Sequence, residues 1–308
     1  MKIDKNMLID IIKMKEKDLI KFLSNCKDCK RKGNYFWLWL KSPELPYLVA
    51  HIDTVYGRNR NIEIVHNDKY IWSPQGIGGD DRCGVYVLIE LFDKLNINCL
   101  FTDYEERGGL GAKEFVETCK DLLDKIPYMI EIDRRNYREA VFYNFDDENL
   151  DFLHPIEKYF YLKFGSFSDI AIIGKYANCC SVNLSAGFVN EHSGEAEFVV
   201  IPYLEYTISK IPKLLEELGN KKYELPDYEK YNGNSFSNYS YYEDPYYYED
   251  LIFDEVKVKL VDGSFIKVSS YDELEDLLLA EEITEDEYER VLDEVEEKTY
   301  LYYAKQID

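Results

Sequence analysis

Three apolar runs with strand-forming residues each end in histidine or acid: YLVAHID (47–53), CLFTDYEE (99–106) and YMIEID (128–133). Between them lie segments of helical period, GIGGDDRCGVYVLIELFDKL (76–95), which opens on a glycine-rich loop, and KEFVETCKDLLDK (113–125). Strands alternating with helices predict an α/β protein, a three-layer α/β/α sandwich around a mainly parallel sheet. Flanking segments extend the pattern. Amphipathic helices are expected within 4–25, a strand at 34–40, a hairpin over 61–73 turning at Asn67-Asp68, and a strand at 139–144. A short helix within 166–177, a strand at 179–185 and a helix over most of 198–219 follow. Glu105 and Glu106 are expected at a strand end, where successive side chains point in opposite directions.

Charge divides the chain. The net charge is −23, but residues 224–308 hold 25 acids against 7 basic residues, a net of −18, and the first 223 residues carry −5. The acidic balance argues against a nucleic-acid partner, whose phosphates would be repelled. The expected domains are 1–222, a hydrolase domain; 223–250, a linker holding nine of the 28 tyrosines; and 251–308, a small acidic α+β module. In that module EVKVKLVDGSFIKVS (255–269) signals a β-hairpin turning at Asp262-Gly263. Ser270 with Glu273, and Thr284 with Glu287, have capping-box spacing, which predicts a helical hairpin. The acidic tail is read as solvated, with contact to a basic partner or a second subunit as the alternative.

Seven cysteines, several inside apolar runs, do not make a disulfide framework. Cys26 and Cys29 lack the second pair that a zinc site needs. No apolar signal-peptide core and no membrane-length apolar run is present, so no membrane partner is expected and the expected location is cytoplasmic.

Potential metal ligands recur at strand ends: His51 and Asp53, Glu105 and Glu106, and Asp133, joined by Asp80 and Asp81 in the loop before a helix and by His192 in NLSAGFVNEHSGE (183–195). In an open α/β sheet, sites form outside the carboxyl ends of strands, where such residues converge. Two imidazoles and several carboxylates without thiolate suit Zn(II), Co(II) or Mn(II). Five ligands exceed what one catalytic zinc takes from protein, whereas two ions sharing a carboxylate would use them all.

The order HIDTV, GGDDRCG, EERGGLGA, an Asp after a strand, and NEHS resembles the co-catalytic dizinc exopeptidase superfamily of aminopeptidases, carboxypeptidases and deacylases. The likeness runs from His51 to about Gly194. It implies that His51 and Asp133 bind one ion, that Glu106 and His192 bind the other, and that Asp80 bridges them. It implies that Asp53 orients His51 and that Glu105 is the general base. Asp81 is read as the cap of the following helix. Only 28 positions separate His51 from Asp80 and 58 separate Asp133 from His192, too few for an inserted domain. The chain is thus most similar to the compact single-domain aminopeptidase branch.

The resemblance implies a hydrolase of peptide or amide bonds using a metal-bridging hydroxide, with two divalent ions, Zn(II) first, as cofactors and a peptide or small amide as substrate. The alternatives are an N-acyl amino acid deacylase on the same site and an inactive metal-binding scaffold. Ser168, Asp169 and Asn190, with Phe167, are expected to line the substrate pocket. Asp103 is expected to be a solvated loop acid, and His66 and His154 to lie outside the site.

Overall fold

The computed structural model describes residues 2–56, 61–143, 150–163, 165, 167–225 and 252–270, with single positions between 277 and 291. Contacts divide the chain into two units, Met1–Tyr231 and Asn232–Asp308. The first opens with helices α1 (Lys5–Lys13) and α2 (Glu16–Asn25), then strands β1 (Cys29–Lys32), β2 (Phe36–Trp39) and β3 (Tyr47–His51). A short hairpin, β4 (Val65–His66) and β5 (Tyr70–Trp72), precedes α3 (Gly79–Phe92) and β6 (Asn98–Thr102). Next come α4 (Leu110–Thr118), α5 (Lys120–Leu123), β7 (Met129–Arg134), β8 (Glu139–Val141), α6 (Leu150–Glu157) and β9 (Tyr161–Lys163). The unit closes with α7 (Asp169–Ala177), β10 (Ser181–Ser185), β11 (Phe188–Val189), β12 (Phe198–Val200) and α8 (Ile201–Leu218).

Eight strands form the main sheet in the order β1-β2-β6-β3-β7-β10-β8-β9. The central strands β6, β3, β7 and β10 are mutually parallel, and antiparallel pairs lie towards the edges. Alternation along these strands feeds two cores. Leu48, Ala50, Phe101, Ile130 and Ile132 pack with α1, α3 and α8, while Tyr47, Val49, Leu100 and Met129 pack with α4, α5 and α7. Apolar side chains on both sheet faces explain why these strands read as continuous apolar runs rather than alternating ones. The two cores make the three layers of an α/β/α sandwich.

Several sequence expectations change. A second, four-stranded sheet, β11-β12-β5-β4, joins the expected hairpin to residues that follow the main sheet. The segment 113–125 is two helices, broken at Cys119, and β1, α6 and β9 are additional elements. Tyr223 is buried and its N–H donates to the Pro127 carbonyl, so the first unit extends past residue 222. The rest of the tyrosine-rich segment, from 226, lies outside the described residues.

In the second unit β13 (Ile252–Lys259) pairs antiparallel with β14 (Phe265–Ser270), as the alternation predicts. The Glu287 N–H donates to Thr284 Oγ1 at 3.2 Å, one arm of the expected capping box. Glu273 and most of the expected helical hairpin lie outside the described residues. Among the described residues no helix is long and apolar enough to cross a membrane.

Candidate metal centre

The strand ends of the parallel sheet place the candidate ligands together. His51 is the last residue of β3, Asp133 lies near the end of β7, and Asp80 stands at the entry to α3. His51 Nε2 lies 2.9 Å from Asp80 Oδ1 and 3.2 Å from Asp133 Oδ1. His192 Nε2 lies 3.1 Å from Asp80 Oδ2 and 2.8 Å from Glu106 Oε1. Among the described residues three three-residue groups result, His51-Asp80-Asp133, Asp80-Glu106-His192 and His51-Glu105-Glu106, and Asp80 joins the first two.

The local backbone serves this arrangement. Asp80 and Asp81 are not helical, so the regular turns of α3 begin after them, and the peptide bond between them is cis. Asp81 Oδ1 accepts the Gly84 N–H at 2.9 Å, the geometry of a helix N-cap. Glu105 and Glu106 do not extend a strand. β6 ends at Thr102, and the pair lies in a 3-10 turn, Glu105–Arg107, entered through Tyr104 at φ 63°. Their separate placements come from this turn rather than from strand alternation. Asp53 Oδ1 accepts the Glu105 N–H at 3.2 Å and lies 3.4 Å from His51 Nδ1, so one carboxylate touches both.

The electrostatics of the cluster suit a cation. Among the described residues, the ion pairs of Asp80, Asp133 and Glu106 are with the two imidazoles. Burial and the carboxylates of Asp133, Asp169 and Glu106 push Glu105 up to about 9, with the His51 charge opposing. Burial lifts Asp133 to about 7. Burial also raises Glu106. Hydrogen bonding to Asp80 lifts His192 to about 9. Burial disfavours charge on His51, yet the Asp133 charge and the bonds to Asp133, Asp53 and Asp80 outweigh it and raise its pKa well above the ordinary value. Where carboxylate oxygens face an imidazole nitrogen at 2.9–3.2 Å, a proton or a metal ion has to lie between them. The donor set, oxygen and imidazole nitrogen with no sulfur, fits divalent ions of the zinc type.

A cavity of about 350 Å³ opens over the centre and is lined by Asp80, Glu105, Glu106, Asp133 and His192, with Phe167 and Phe188 among its apolar walls. His51 and Asp53 are buried behind it. Ser168 and Asp169 are not on its surface: both are fully buried, since Ser168 is the entry to α7 and that helix packs against α4. Asn190 is exposed and uses its amide to bond the Ala196 carbonyl, away from the lining. Asp103 is not solvated; it is 2 % exposed and accepts the Tyr104 N–H.

Two supporting residues escaped the sequence reading. Glu197 is fully buried, and its carboxylate accepts the N–H groups of Gly79 at 2.7 Å and of Gly78 and Asp80 at 3.3 Å. No pattern in its own segment marks it. Asn183 accepts the Asp133 N–H at 2.9 Å and reaches the Tyr143 hydroxyl at 3.3 Å. Its signal was available, a lone amide inside the apolar strand SVNLS.

No family model and no curated protein sequence matches the chain. Solved structures do. The chain is similar to aminopeptidase PepT from Bacillus cereus, with a TM-score of 0.54 at 14% identity over 69% of this chain and 97% of that one. A tripeptidase from Staphylococcus aureus gives 0.53 at 15% identity over the same shares. The chain has the fold of these peptidases. That agrees with the resemblance to the co-catalytic dizinc exopeptidases read from the motifs.

Proposed function

We propose that this protein is a metal-dependent aminopeptidase that works with two divalent ions, Zn(II) first among them. The observation that carries the reading is the double engagement of Asp80, one oxygen towards His51 and the other towards His192. In this reading His51 and Asp133 hold one ion, Glu106 and His192 hold the other, and Asp80 holds both. When bound, the ions polarise the scissile carbonyl and lower the pKa of water.

The chain's own residues supply the rest. Asp53 fixes the ring of His51 through Nδ1, which lies 3.1 Å from its main-chain carbonyl and 3.4 Å from its carboxylate. Glu105 accepts a proton as water adds to the carbonyl and returns it to the departing nitrogen as the C–N bond breaks. Glu197 and Asn183 hold the Asp80 loop and Asp133 in place. A peptide rather than an N-acyl substrate is favoured by the fold shared with an aminopeptidase and a tripeptidase. Seven free cysteines suit a reducing, cytoplasmic setting.

The test is a panel of aminoacyl-anilides and N-acyl amino acids offered to the zinc-loaded protein. Hydrolysis that depends on a free α-amine is expected; cleavage confined to N-acyl substrates would overturn the aminopeptidase reading. Glu105→Ala should retain metal and lose turnover.

A further inference from the structure

The floor of the cavity is anionic, yet two guanidiniums, Arg134 and Arg135, also line it. Arg134 is built into the fold. Its side chain is 18% exposed, and its Nε donates to the buried carboxylate of Glu139. Arg135 is placed differently. It follows the last residue of β7, its side chain is 47% exposed, and one Nη1 donates to Glu191 Oε1 at 2.9 Å. A guanidinium has five N–H donors in a planar fork that matches a carboxylate. One bond to Glu191 orients that fork and leaves most of its donors for another acceptor.

Position sets what the acceptor can be. Asp133, which faces His51, lies two residues before Arg135, and extended chain advances roughly 3.3 Å per residue. A group bound by Arg135 therefore shares one cavity with a carbonyl held over the centre. The cavity, of about 350 Å³, is lined by Arg135 together with Asp80, Glu106, Asp133 and His192. A neutral or cationic substrate end gains nothing from a guanidinium here, whereas an anionic end gains a charge-assisted, two-pronged bond.

We infer that Arg135 anchors a substrate carboxylate and makes the protein selective for short peptides with a free carboxyl end. This rests on the peptidase reading above. The shared chemistry is the carboxylate, and its two sources are the terminal carboxyl group and an acidic side chain.

The experiment compares a tripeptide, Leu-Gly-Gly, with its C-terminal amide, and Glu- with Leu-anilide, in wild type, Arg135→Gln and Arg135→Lys. The wild type should favour the free acid over the amide at least tenfold in kcat/KM, mainly through KM. Arg135→Gln should collapse that ratio to near one, and Arg135→Lys should restore part of it. A ratio that instead favours Glu- over Leu-anilide and collapses in Arg135→Gln assigns the carboxylate to the side chain and supports the anchor. No preference in either comparison, or preferences that survive Arg135→Gln, would overturn it. Calorimetric binding of the same acid and amide to the zinc-loaded Glu105→Gln protein, with and without Arg135→Gln, separates the two failures. Absence of wild-type turnover sinks the peptidase reading, whereas an acid-to-amide affinity ratio unchanged by Arg135→Gln sinks the anchor.

Discussion

The buried carboxylate of Glu197 accepts the Gly79 N–H at 2.7 Å, across 118 positions of sequence. The bond ties the segment that carries His192 to the loop that carries Asp80. Glu197→Ala leaves the Gly78, Gly79 and Asp80 N–H groups without this acceptor. Each buried donor left unpaired costs about 1–3 kcal/mol, and part is recovered by relaxation. A loss of about 2–4 kcal/mol in denaturant unfolding is expected. Zinc affinity should fall about 10–100-fold, as when groups supporting metal ligands are removed. An unchanged affinity would show that the loop holds itself.

Metal-free protein should lose stability as pH rises. Asp133 is lifted from 3.8 to about 7, Asp169 from 3.8 to about 6, and Glu105 from 4.5 to about 9, in each case chiefly by burial. Over that window the folded chain holds more protons than the unfolded one, so stability falls as they leave. His192, lifted from 6.5 to about 9, acts in the same direction: its contribution is complete below 6.5 and lost as pH rises through 9. Bound cations neutralise the same charges, so zinc-loaded protein should be flatter with pH and the gap in Tm should widen from pH 5 to 9. Thermal scans of both forms check this; a constant gap would contradict it.

The candidate ligands were legible because His51 and Asp133 lie at strand ends and Glu106 follows a strand, and parallel strands bring such ends to one edge, while Asp80 stood out in the glycine-rich loop before α3. The two cores were legible in the same runs, whose side chains serve both faces. What the sequence hid was long-range. Glu197 acts on groups more than a hundred residues away, the N–H groups of Gly78, Gly79 and Asp80 among them, and nothing local distinguishes it from a surface acid. Asp169 shows the converse. Expected in the pocket lining, it is fully buried, with its Oδ1 3.0 Å from where a Cβ on Gly109 would stand. The 3-10 turn at Glu105 also escaped, because it is entered through a tyrosine in the left-handed region, which sequence does not favour.

Gly84 sets how closely α3 approaches the sheet. A Cβ there would lie 2.1 Å from the Ile132 carbonyl and 2.3 Å from Asp81 Oδ2. Neither can yield without moving β7 or the Asp81 cap. Gly84→Ala should cost about 3 kcal/mol in denaturant unfolding, near the top of the overpacking range, and should weaken zinc binding by displacing Asp80 and Asp133 together. Wild-type-like stability would mean that helix and strand separate easily.

The most direct measurement for the centre is calorimetric titration of metal-free protein with Zn(II), in wild type and in Asp80→Ala. Two ions per chain are expected in the wild type, with protons released in proportion to the protonation of His192 and the carboxyls. Asp80→Ala should bind at most one ion tightly, since it removes the oxygens that face both His51 and His192. A wild type that takes up one ion or none, or an Asp80→Ala variant that still binds two with undiminished affinity, would contradict the shared-carboxylate centre.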